Sequence, residues 1–289
     1  MRVALVVNPR SGTRRGEHIA RRAAHELGEL GHEIDVIRGV DGAEAGARLR
    51  AGLERAGKPD VVAVVGGDGA LHQLLPSLVE HELTAAMIPA GTGNDVARQL
   101  GVGEPTAAIQ AIHHGHTRTI DLIDVGDGLV ATVVASGFDS KVNERANAMS
   151  WPKGNLRYNS AIVAELRAFE PLHFTIEADG QSIERDAMLV AVGNMPSFGG
   201  GLRIAEGAED DDGLLDVIVI HPVSKLKLLW VFPMLYRGAH VNLPEFERIR
   251  AKQVTWNSPG IVAYGDGECL GPLPLTATAK PGALTMVHA

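Results

Sequence analysis

Cysteine, aromatic residues and positive charge are all scarce in this chain of 289 residues. Cys269 is the single cysteine, so a disulfide framework within the chain is excluded, and a reducing cytosol is the simplest compartment. Aromatic residues make up only 4% of the sequence, which argues against a surface that stacks nucleic-acid bases. Because the formal net charge is -8, we expect no nucleic-acid partner.

Long hydrophobic runs are also missing. No stretch of about 18 apolar residues occurs, so the sequence predicts no membrane-spanning helix. The apolar run at residues 3–7 is too short for the hydrophobic part of a signal peptide. Lys227 and Pro233 interrupt the most apolar stretch, residues 226–235, which is predicted to be a core or interface helix. We therefore expect a cytoplasmic protein.

The first 115 residues alternate between two patterns. Short runs rich in β-branched residues predict strands, and amphipathic runs predict helices. The predicted strands are residues 3–7, 33–38, 61–65 and 85–88, and the predicted helices are 14–30, 43–56, 71–80, 94–100 and 106–113. Repeated strand–helix units of this kind predict a parallel sheet with helices on both faces.

After residue 115 the strand-like runs follow one another directly. They are residues 118–125, 129–136, 172–177, 183–192, 214–220, 248–256, 261–264 and 273–279, with helical insertions at 155–169 and 224–237. Clustered strands after an α/β half predict a second, mainly antiparallel domain. We therefore predict an α/β domain over residues 1–120, a second domain over 121–280, and a C-terminal segment, 281–289, that can return to the first domain.

The most informative feature is a glycine-rich turn after the third predicted strand, formed by Gly66, Gly67, Asp68 and Gly69. Glycine lets the backbone bend sharply and approach a ligand closely. Asp68 lies at the carboxyl end of the strand, where open α/β sheets bind ligands. The helix that follows would direct its amide dipoles to the same point, so the turn is a predicted phosphate seat.

Two further turns are predicted to meet this glycine turn at the same edge of the sheet. Residues 8–12, with the sequence NPRSG, follow the first strand, and residues 89–95, with the sequence PAGTGND, follow the fourth. Any one of these turns is weak evidence, because strand–helix turns often need glycine for steric reasons alone. Three in order, each with short polar residues, favour a shared phosphate-binding site.

The series NPRSG, GGDGA, PAGTGNDVAR, DDGLLDV and GDGE resembles the diacylglycerol kinase catalytic-domain family, which includes bacterial soluble lipid kinases and the sphingosine and ceramide kinases. The resemblance runs from Asn8 to Glu268 in the family's order. It implies an NAD kinase/diacylglycerol kinase-like fold, with an α/β domain and a β-sandwich domain. It also implies that ATP binds between the two domains, with Mg2+, and that the γ-phosphoryl group passes to a lipid hydroxyl.

The resemblance also implies which residues bind ATP. The implied set consists of three short segments of the first domain. Its members are Asn8, Pro9, Arg10, Ser11, Gly12, Gly66, Gly67, Asp68, Gly69, Ala70, Thr92, Asn94 and Asp95. The glycine turn would hold the nucleotide phosphates, Thr92 would bond the nucleotide, and Asn94 and Asp95 would support the polar network.

An acidic pair in the second domain is implied to carry the chemistry. Phosphoryl transfer is mostly positioning and charge stabilisation, and a base takes the proton of the attacking hydroxyl. Glu268 is our candidate base, and Asp266 can bind metal or orient Glu268 if the segment is extended. Spacing alone does not decide which acid is the base. The alternative is a Gly-Asp-Gly hairpin turn with two solvated acids.

The resemblance also implies a structural Mg2+ near the acidic run at residues 209–213. Asp212 would bind it with its carboxylate, and Glu209 and Leu214 are candidates to add backbone carbonyls. Hard oxygen ligands of this kind suit Mg2+ or Ca2+. An Asx turn leading into a strand is the alternative.

The chain departs from the family pattern beside the glycine turn. Ala70 stands where the family usually has Thr, and His72 and Gln73 stand where it commonly has Asn and Glu. Gln73 cannot supply negative charge to a metal network. The details of phosphate and Mg2+ binding are therefore open, while the amides of the turn are retained.

We expect diacylglycerol as the substrate, with phosphatidic acid as the product. The lipid would be reached by transient peripheral contact with a membrane surface, to which Trp151, Leu156, Tyr158 and residues 228–235 can contribute. A homodimer is compatible with the sequence. Two other functions stay open: an NAD kinase-like enzyme with a soluble substrate, because GGDG is shared with NAD kinases, and a nucleotide-binding module with weakened catalysis.

Overall fold

The computed structural model describes residues 1–7, 13–138, 140–142, 145, 149, 151, 160–161, 164 and 170–289. The predicted nucleotide segment at residues 8–12 lies outside the described residues, as does most of the helix predicted at 155–169. Among the described residues, no helix combines the length and the apolar character that crossing a membrane requires.

The N-terminal half forms a parallel sheet between helices, which confirms the predicted α/β unit. Its strands run in the spatial order β2-β1-β3-β4. The strands are β1 (Arg2–Val7), β2 (Glu33–Arg38), β3 (Val61–Gly66) and β4 (Ala85–Pro89). The helices are α1 (Thr13–Glu29), α2 (Gly42–Ala56), α3 (Asp68–His72), α4 (Leu75–Glu80), α5 (Asp95–Gln99) and α6 (Pro105–His114). We call the part from β1 to α6 the first lobe.

Burial explains why these strands are rich in Val, Ile and Ala. Every residue of β3 and β4 is buried, because helices cover both faces of the sheet.

The helix predicted at 71–80 is wrong in its start and its continuity. Helix α3 begins at Asp68, inside the glycine turn, and ends at His72, before α4 begins at Leu75.

The second lobe, from β5 to β16, is mainly antiparallel, as predicted. Its strands are β5 (Thr117–Asp124), β6 (Leu129–Val130), β7 (Val133–Gly137), β8 (Leu172–Ala178), β9 (Gln181–Ala187), β10 (Leu189–Gly193), β11 (Leu215–Ile220), β12 (Phe246–Ala251), β13 (Gln253–Asn257), β14 (Val262–Gly265), β15 (Glu268–Pro272) and β16 (Leu275–Val287). Helix α7 (Lys225–Leu235) and a 3-10 helix (Ala239–Asn242) lie between β11 and β12.

Two sheets make up this lobe. Six antiparallel strands run in the order β12-β11-β10-β7-β14-β15. The facing strands β16, β13, β8 and β9 continue the sheet of the first lobe. Trp256 on β13 is fully buried between the sheets, and its indole N–H donates to Ser136 Oγ on β7 at 2.9 Å. The bond satisfies a polar group that would otherwise be buried unpaired, and it joins the two sheets.

Three strands that the sequence predicts as continuous are each broken in two. Residues 129–136 form β6 and β7, residues 183–192 contribute to β9 and β10, and residues 248–256 to β12 and β13. In each case the two parts belong to different sheets, so the chain bends between them. Alternating burial cannot reveal such a bend, because both parts keep the strand pattern.

The last strand connects the two lobes. It is predicted to end at 279 but runs to Val287, pairs with β5, and meets β4 in parallel at Met286 and Ala85. The amide of Ala289 then donates to Leu100 O at 3.0 Å, next to α5. Strand β5 runs across residues 120 and 121, where the sequence places the domain boundary. A ten-stranded sheet therefore runs through both lobes.

Candidate active site

Two glycine-rich turns of the first lobe are packed backbone against backbone. Gly67 follows β3, and Gly91 follows β4. A Cβ atom added to Gly91 would lie 2.7 Å from the Cα atom of Gly67, and one added to Gly67 would lie 3.2 Å from the Cα atom of Gly91. A side chain at Gly91 is therefore excluded, and the structure brings these two predicted turns together.

Asp68 joins the two turns through its carboxylate. Oδ2 accepts the amide of Asp95 and Oδ1 accepts the amide of Val96, both at 3.0 Å, so Asp68 caps the start of α5. Burial and the charge of Asp95, with a contribution from Asp266, raise the pKa of Asp68 to about 6, although the two amides lower it. Burial and the neighbouring carboxylates therefore disfavour the charged form of Asp68 more than the two amides favour it.

Asp95 connects the two glycine-rich turns to the second lobe. Its side chain is buried, and it accepts Ser197 Oγ at 2.9 Å and the amides of Gly200 and Gly201 at 2.8 and 2.9 Å. Arg98 completes the set with an ion pair at 2.6 Å. These donors occupy the Asp95 carboxylate, so it supports the loop network, and a direct contact with a nucleotide would have to displace them.

Thr92 and Asn94 differ in whether their side chains are already hydrogen-bonded within the protein. Asn94 has a positive φ of 57°, and its side chain bonds the amide and the carbonyl of Gly91 at 3.1 and 3.0 Å. Thr92 is exposed, and its hydroxyl has no hydrogen-bond partner among the described residues. Thr92 is therefore available to a ligand, while Asn94 maintains the shape of the turn.

The start of α3 has unpaired backbone amides, but Ala70 offers no polar side chain. The amides of Ala70 and Leu71 donate to Gly67 O at 2.9 and 3.3 Å. Within the described residues, the amides of Asp68 and Gly69 have no acceptor. The methyl group of Ala70 is buried in the core of the first lobe. Two backbone donors at the start of α3 are therefore unpaired within the described residues, and the place of the family's Thr is apolar.

Asp266 and Glu268 lie on a hairpin turn, which corrects the prediction of an extended segment. Asp266 and Gly267 have positive φ values of 51° and 88° between β14 and β15, the geometry that favours Asp-Gly in tight hairpins. We call residues 265–268 the acidic turn. The alternative, a Gly-Asp-Gly hairpin turn with two solvated acids, is right about the hairpin and wrong about Asp266, which is buried.

Protein donors surround the carboxylate of Asp266. It accepts the amides of Ala131 and Thr132 at 2.9 and 3.0 Å, and Thr132 Oγ1 at 2.7 Å. His72 Nδ1 lies 3.2 Å from Oδ2. These bonds also explain why the predicted strand breaks at residues 131 and 132, whose amides bond a side chain instead of a neighbouring strand. Of the two roles open to Asp266, orienting the turn fits this geometry and metal binding does not.

Glu268 is placed differently. Its side chain is half-buried and makes no hydrogen bond with any described residue. A Cβ atom added to Gly69 would lie 3.1 Å from Glu268 Oε1. A carboxylate of the second lobe therefore lies over the glycine turn of the first lobe, free to accept a proton.

The carboxylate at the predicted structural Mg2+ site already has protein partners. Asp212 Oδ1 accepts the amide of Leu214 at 2.9 Å, and the other oxygen is paired with Arg250. Glu209 is exposed. The described part of the chain contains no group of three His, Cys, Asp or Glu side chains placed to hold a metal. In this structure the segment forms an Asx turn, and the guanidinium of Arg250 lies beside the Asp212 carboxylate.

Sequence reasoning assigned no role to several residues of the site. Ser197, Gly200 and Gly201 lie in the loop between β10 and β11, where three glycines in a row, at residues 199–201, were a usable signal. Thr132 carried no signal, because it lies inside a predicted strand. His72 was noted only as a departure from the family pattern.

Comparison with known proteins gives two family matches that together span most of the chain. Residues 2–125 match the diacylglycerol kinase catalytic domain. Residues 132–288 match the YegS C-terminal NAD kinase beta sandwich-like domain.

Individual proteins agree with these matches. A diacylglycerol kinase of Mycobacterium tuberculosis (strain ATCC 25618 / H37Rv) is 41% identical over 297 residues, covering 99% of this chain and 95% of its own. A diacylglycerol kinase of Bacillus subtilis (strain 168) is 25% identical, covering 94% and 91%. The crystal structure of a diacylglycerol kinase from Bacillus anthracis str. Sterne has the same fold, with a TM-score of 0.78 at 24% identity, covering 100% and 97%.

Proposed function

The chain belongs to the diacylglycerol kinase catalytic-domain family and is a lipid kinase, and we propose that it transfers the γ-phosphoryl group of ATP to the hydroxyl of diacylglycerol to give phosphatidic acid. One observation carries the proposal at the level of the site. The free carboxylate of Glu268 faces the glycine turn across the cleft, beside Gly69. A phosphate seat and a candidate base therefore meet where a transferred group would lie.

The nucleotide would bind along the turns of the first lobe. The amides of Asp68 and Gly69 would donate to phosphate oxygens, since backbone donors at a helix start favour bound anions. The exposed hydroxyl of Thr92 would add a further contact. Asn8, Pro9, Arg10, Ser11 and Gly12, outside the described residues, are proposed to complete the nucleotide site.

The buried carboxyl group of Asp68, with Asp95 and Asp266 nearby, fits a magnesium–nucleotide complex better than a bare nucleotide. The raised pKa of Asp68 reflects burial first and the neighbouring carboxylates second, and a bound divalent cation would favour the charged form against both. Asp68 would hold the ion, which would neutralise phosphate charge when bound. The segment around Asp212 is not part of this proposal.

Glu268 would act as the base. As the lipid oxygen forms its bond to the γ-phosphorus atom, the bond from that atom to the ADP oxygen breaks, and the hydroxyl proton passes to Glu268. Asp266 would not take this proton, because its oxygens already accept four hydrogen bonds within the protein. Its proposed role is to fix the acidic turn.

The lipid would be reached at a membrane surface. Trp151 and Trp230 are 80% and 63% exposed, and Tyr236 is 49% exposed at the end of α7. Tryptophan and tyrosine favour the boundary between lipid and water. We propose that these aromatic residues support peripheral contact of a cytoplasmic protein with the membrane that holds its substrate.

A kinase assay with a panel of acceptors tests the proposal. The protein is incubated with ATP and Mg2+ in detergent micelles containing diacylglycerol, a sphingoid base or ceramide, and in a parallel reaction with NAD and no lipid. The proposal expects phosphatidic acid and the fastest ADP release with diacylglycerol. Phosphorylation of NAD without lipid turnover would overturn it in favour of a soluble substrate. ATP binding without turnover of any acceptor would favour a binding module.

A further inference from the structure

His72 occupies a position where the family commonly has Asn. It ends helix α3, four residues after Asp68, and its side chain is 16% exposed. Its Nδ1 atom lies 3.2 Å from Oδ2 of Asp266, which belongs to the other lobe. The residue therefore connects the helix of the glycine turn to the acidic turn.

We infer that His72 is a positioning residue for phosphoryl transfer: by donating a hydrogen bond to Asp266, it holds the acidic turn, and with it Glu268, against the glycine turn. The inference rests on the proposed function, in which Glu268 is the base. His72 is not placed against substrate, and its effect would pass through Asp266.

The hydrogen-bond pattern supports this role. The three other donors to Asp266 come from Ala131 and Thr132, which belong to the same lobe as the acidic turn. Among the described residues, the bond from His72 is the only hydrogen bond between the first lobe and residues 265–268. Losing it would leave the acidic turn fixed within its own lobe but free to move relative to Gly69.

Charge supports the same role. The charged groups that face the imidazole are Asp266 and Glu268, both on the acidic turn. The segment at 131–132 contributes neutral donors, and Asp68, on the helix of His72, is directed at the amides of α5. Burial opposes protonation, but the hydrogen bond to Asp266 and the charges of Asp266 and Glu268 raise the pKa of His72 above its ordinary value.

Side-chain geometry supplies matched variants. The amide nitrogen of Asn is as far along its side chain as Nδ1 of His, so His72→Asn keeps a donor to Asp266 but does not titrate. The amide nitrogen of Gln corresponds to Nε2, so His72→Gln misplaces the donor. Gln73→Ala is the control, because Gln73 is exposed and packs against Gly42 at the start of α2, away from the cleft.

Steady-state kinetics of the full-length protein, with diacylglycerol in micelles, test the inference. We expect His72→Ala and His72→Gln to lower kcat by about 10- to 100-fold, since small misplacements of catalytic groups have effects of this size. KM for ATP should change by less than about 3-fold. His72→Asn should recover kcat to within about 3-fold of the wild type, and Gln73→Ala should be unchanged. Equal loss in His72→Asn and His72→Ala, or no loss in His72→Ala, would overturn the inference.

A second measurement separates this inference from the proposed function. A group whose pKa is raised by folding stabilises the folded protein below its unfolded pKa, near 6.5, and loses that effect as the pH rises through its folded pKa. In chemical denaturation from pH 6 to pH 9, the stability of the wild type relative to His72→Asn should therefore fall. A constant difference would reject the ion-pair link even if the enzyme is active. A wild type that turns over no lipid would reject the proposed function and leave this stability test decisive for His72.

Discussion

Glu268 lies directly over Gly69, although 199 positions separate them in the sequence, and a Cβ atom on Gly69 would come within 3.1 Å of Glu268 Oε1. The contact joins the turn that follows β3 to the turn between β14 and β15. It makes the spacing between phosphate seat and candidate base sensitive to a single methyl group.

Gly69→Ala should therefore impair transfer more than folding. Its φ is not in the left-handed region, so the added methyl group introduces crowding against Glu268 without backbone strain. We expect kcat to fall by about 10-fold or more, measured with saturating ATP and diacylglycerol. Gly28→Ala is the matched control, because its added Cβ has no atom within 4 Å. Similar losses in both variants would contradict the argument.

Asp95→Ala should destabilise the protein strongly. It would leave Ser197 and the amides of Gly200 and Gly201 without the buried carboxylate that they bond. The expected loss is about 3 kcal/mol in the free energy of unfolding, measured by urea denaturation. Glu54→Ala, at an exposed position of α2, should change it by less than about 0.5 kcal/mol. A small loss in Asp95→Ala would show that the loop does not depend on this residue.

The pKa of Asp68 predicts an unusual pH dependence. Folding raises this pKa from 3.8 to about 6, so the carboxyl group favours the folded state most below pH 3.8 and loses that contribution as the pH rises towards 6. The contribution is on the order of 3 kcal/mol. Carbon-detected NMR should find a carboxyl titration near pH 6 in the nucleotide-free protein, absent in Asp68→Asn. Addition of Mg2+ and a non-hydrolysable ATP analogue should lower that pKa, and an unshifted value would contradict cation binding at Asp68.

Metal removal should leave the fold around Asp212 intact. Arg250 is already paired with that carboxylate, so we expect the same Tm in EDTA as in Mg2+ when no nucleotide is present. Arg250→Gln would remove the guanidinium, lower stability by about 1 kcal/mol, and make Tm rise with added Mg2+. A wild-type Tm that falls in EDTA would contradict this prediction and support the structural Mg2+ site that the family resemblance implies.

Much of the fold follows from local patterns in the sequence. The runs at 61–65 and 85–88 show their burial directly, because helices cover both faces of the parallel strands. The breaks at residues 131, 188 and 252 cannot be predicted from local patterns. Each depends on which of the two sheets is joined by the strand before the break and which by the strand after it. The second half of β16 was missed for a related reason, since its pairing with β4 and β5 is non-local.

The site divides in the same way. The meeting of the glycine turn with the turn at residues 89–95 follows from the rule that parallel strands share a carboxyl edge. The hydrogen bonds that fill the Asp266 carboxylate depend on the bend at Thr132, and the link from Asp95 to Gly200 depends on how the lobes pack. His72 could be noticed from the family pattern, but its partner could not be named without the three-dimensional arrangement.

The most direct test of the central claim, that the glycine turn and the acidic turn form one catalytic site, is the turnover of Glu268→Gln with diacylglycerol. Glu268 makes no hydrogen bond to described residues, so the variant should fold and bind ATP as the wild type does. The account predicts that kcat falls by about 100-fold or more, while Cys269→Ser, at the exposed neighbouring position, keeps wild-type activity. Wild-type kcat in Glu268→Gln, with ATP binding unchanged, would contradict it.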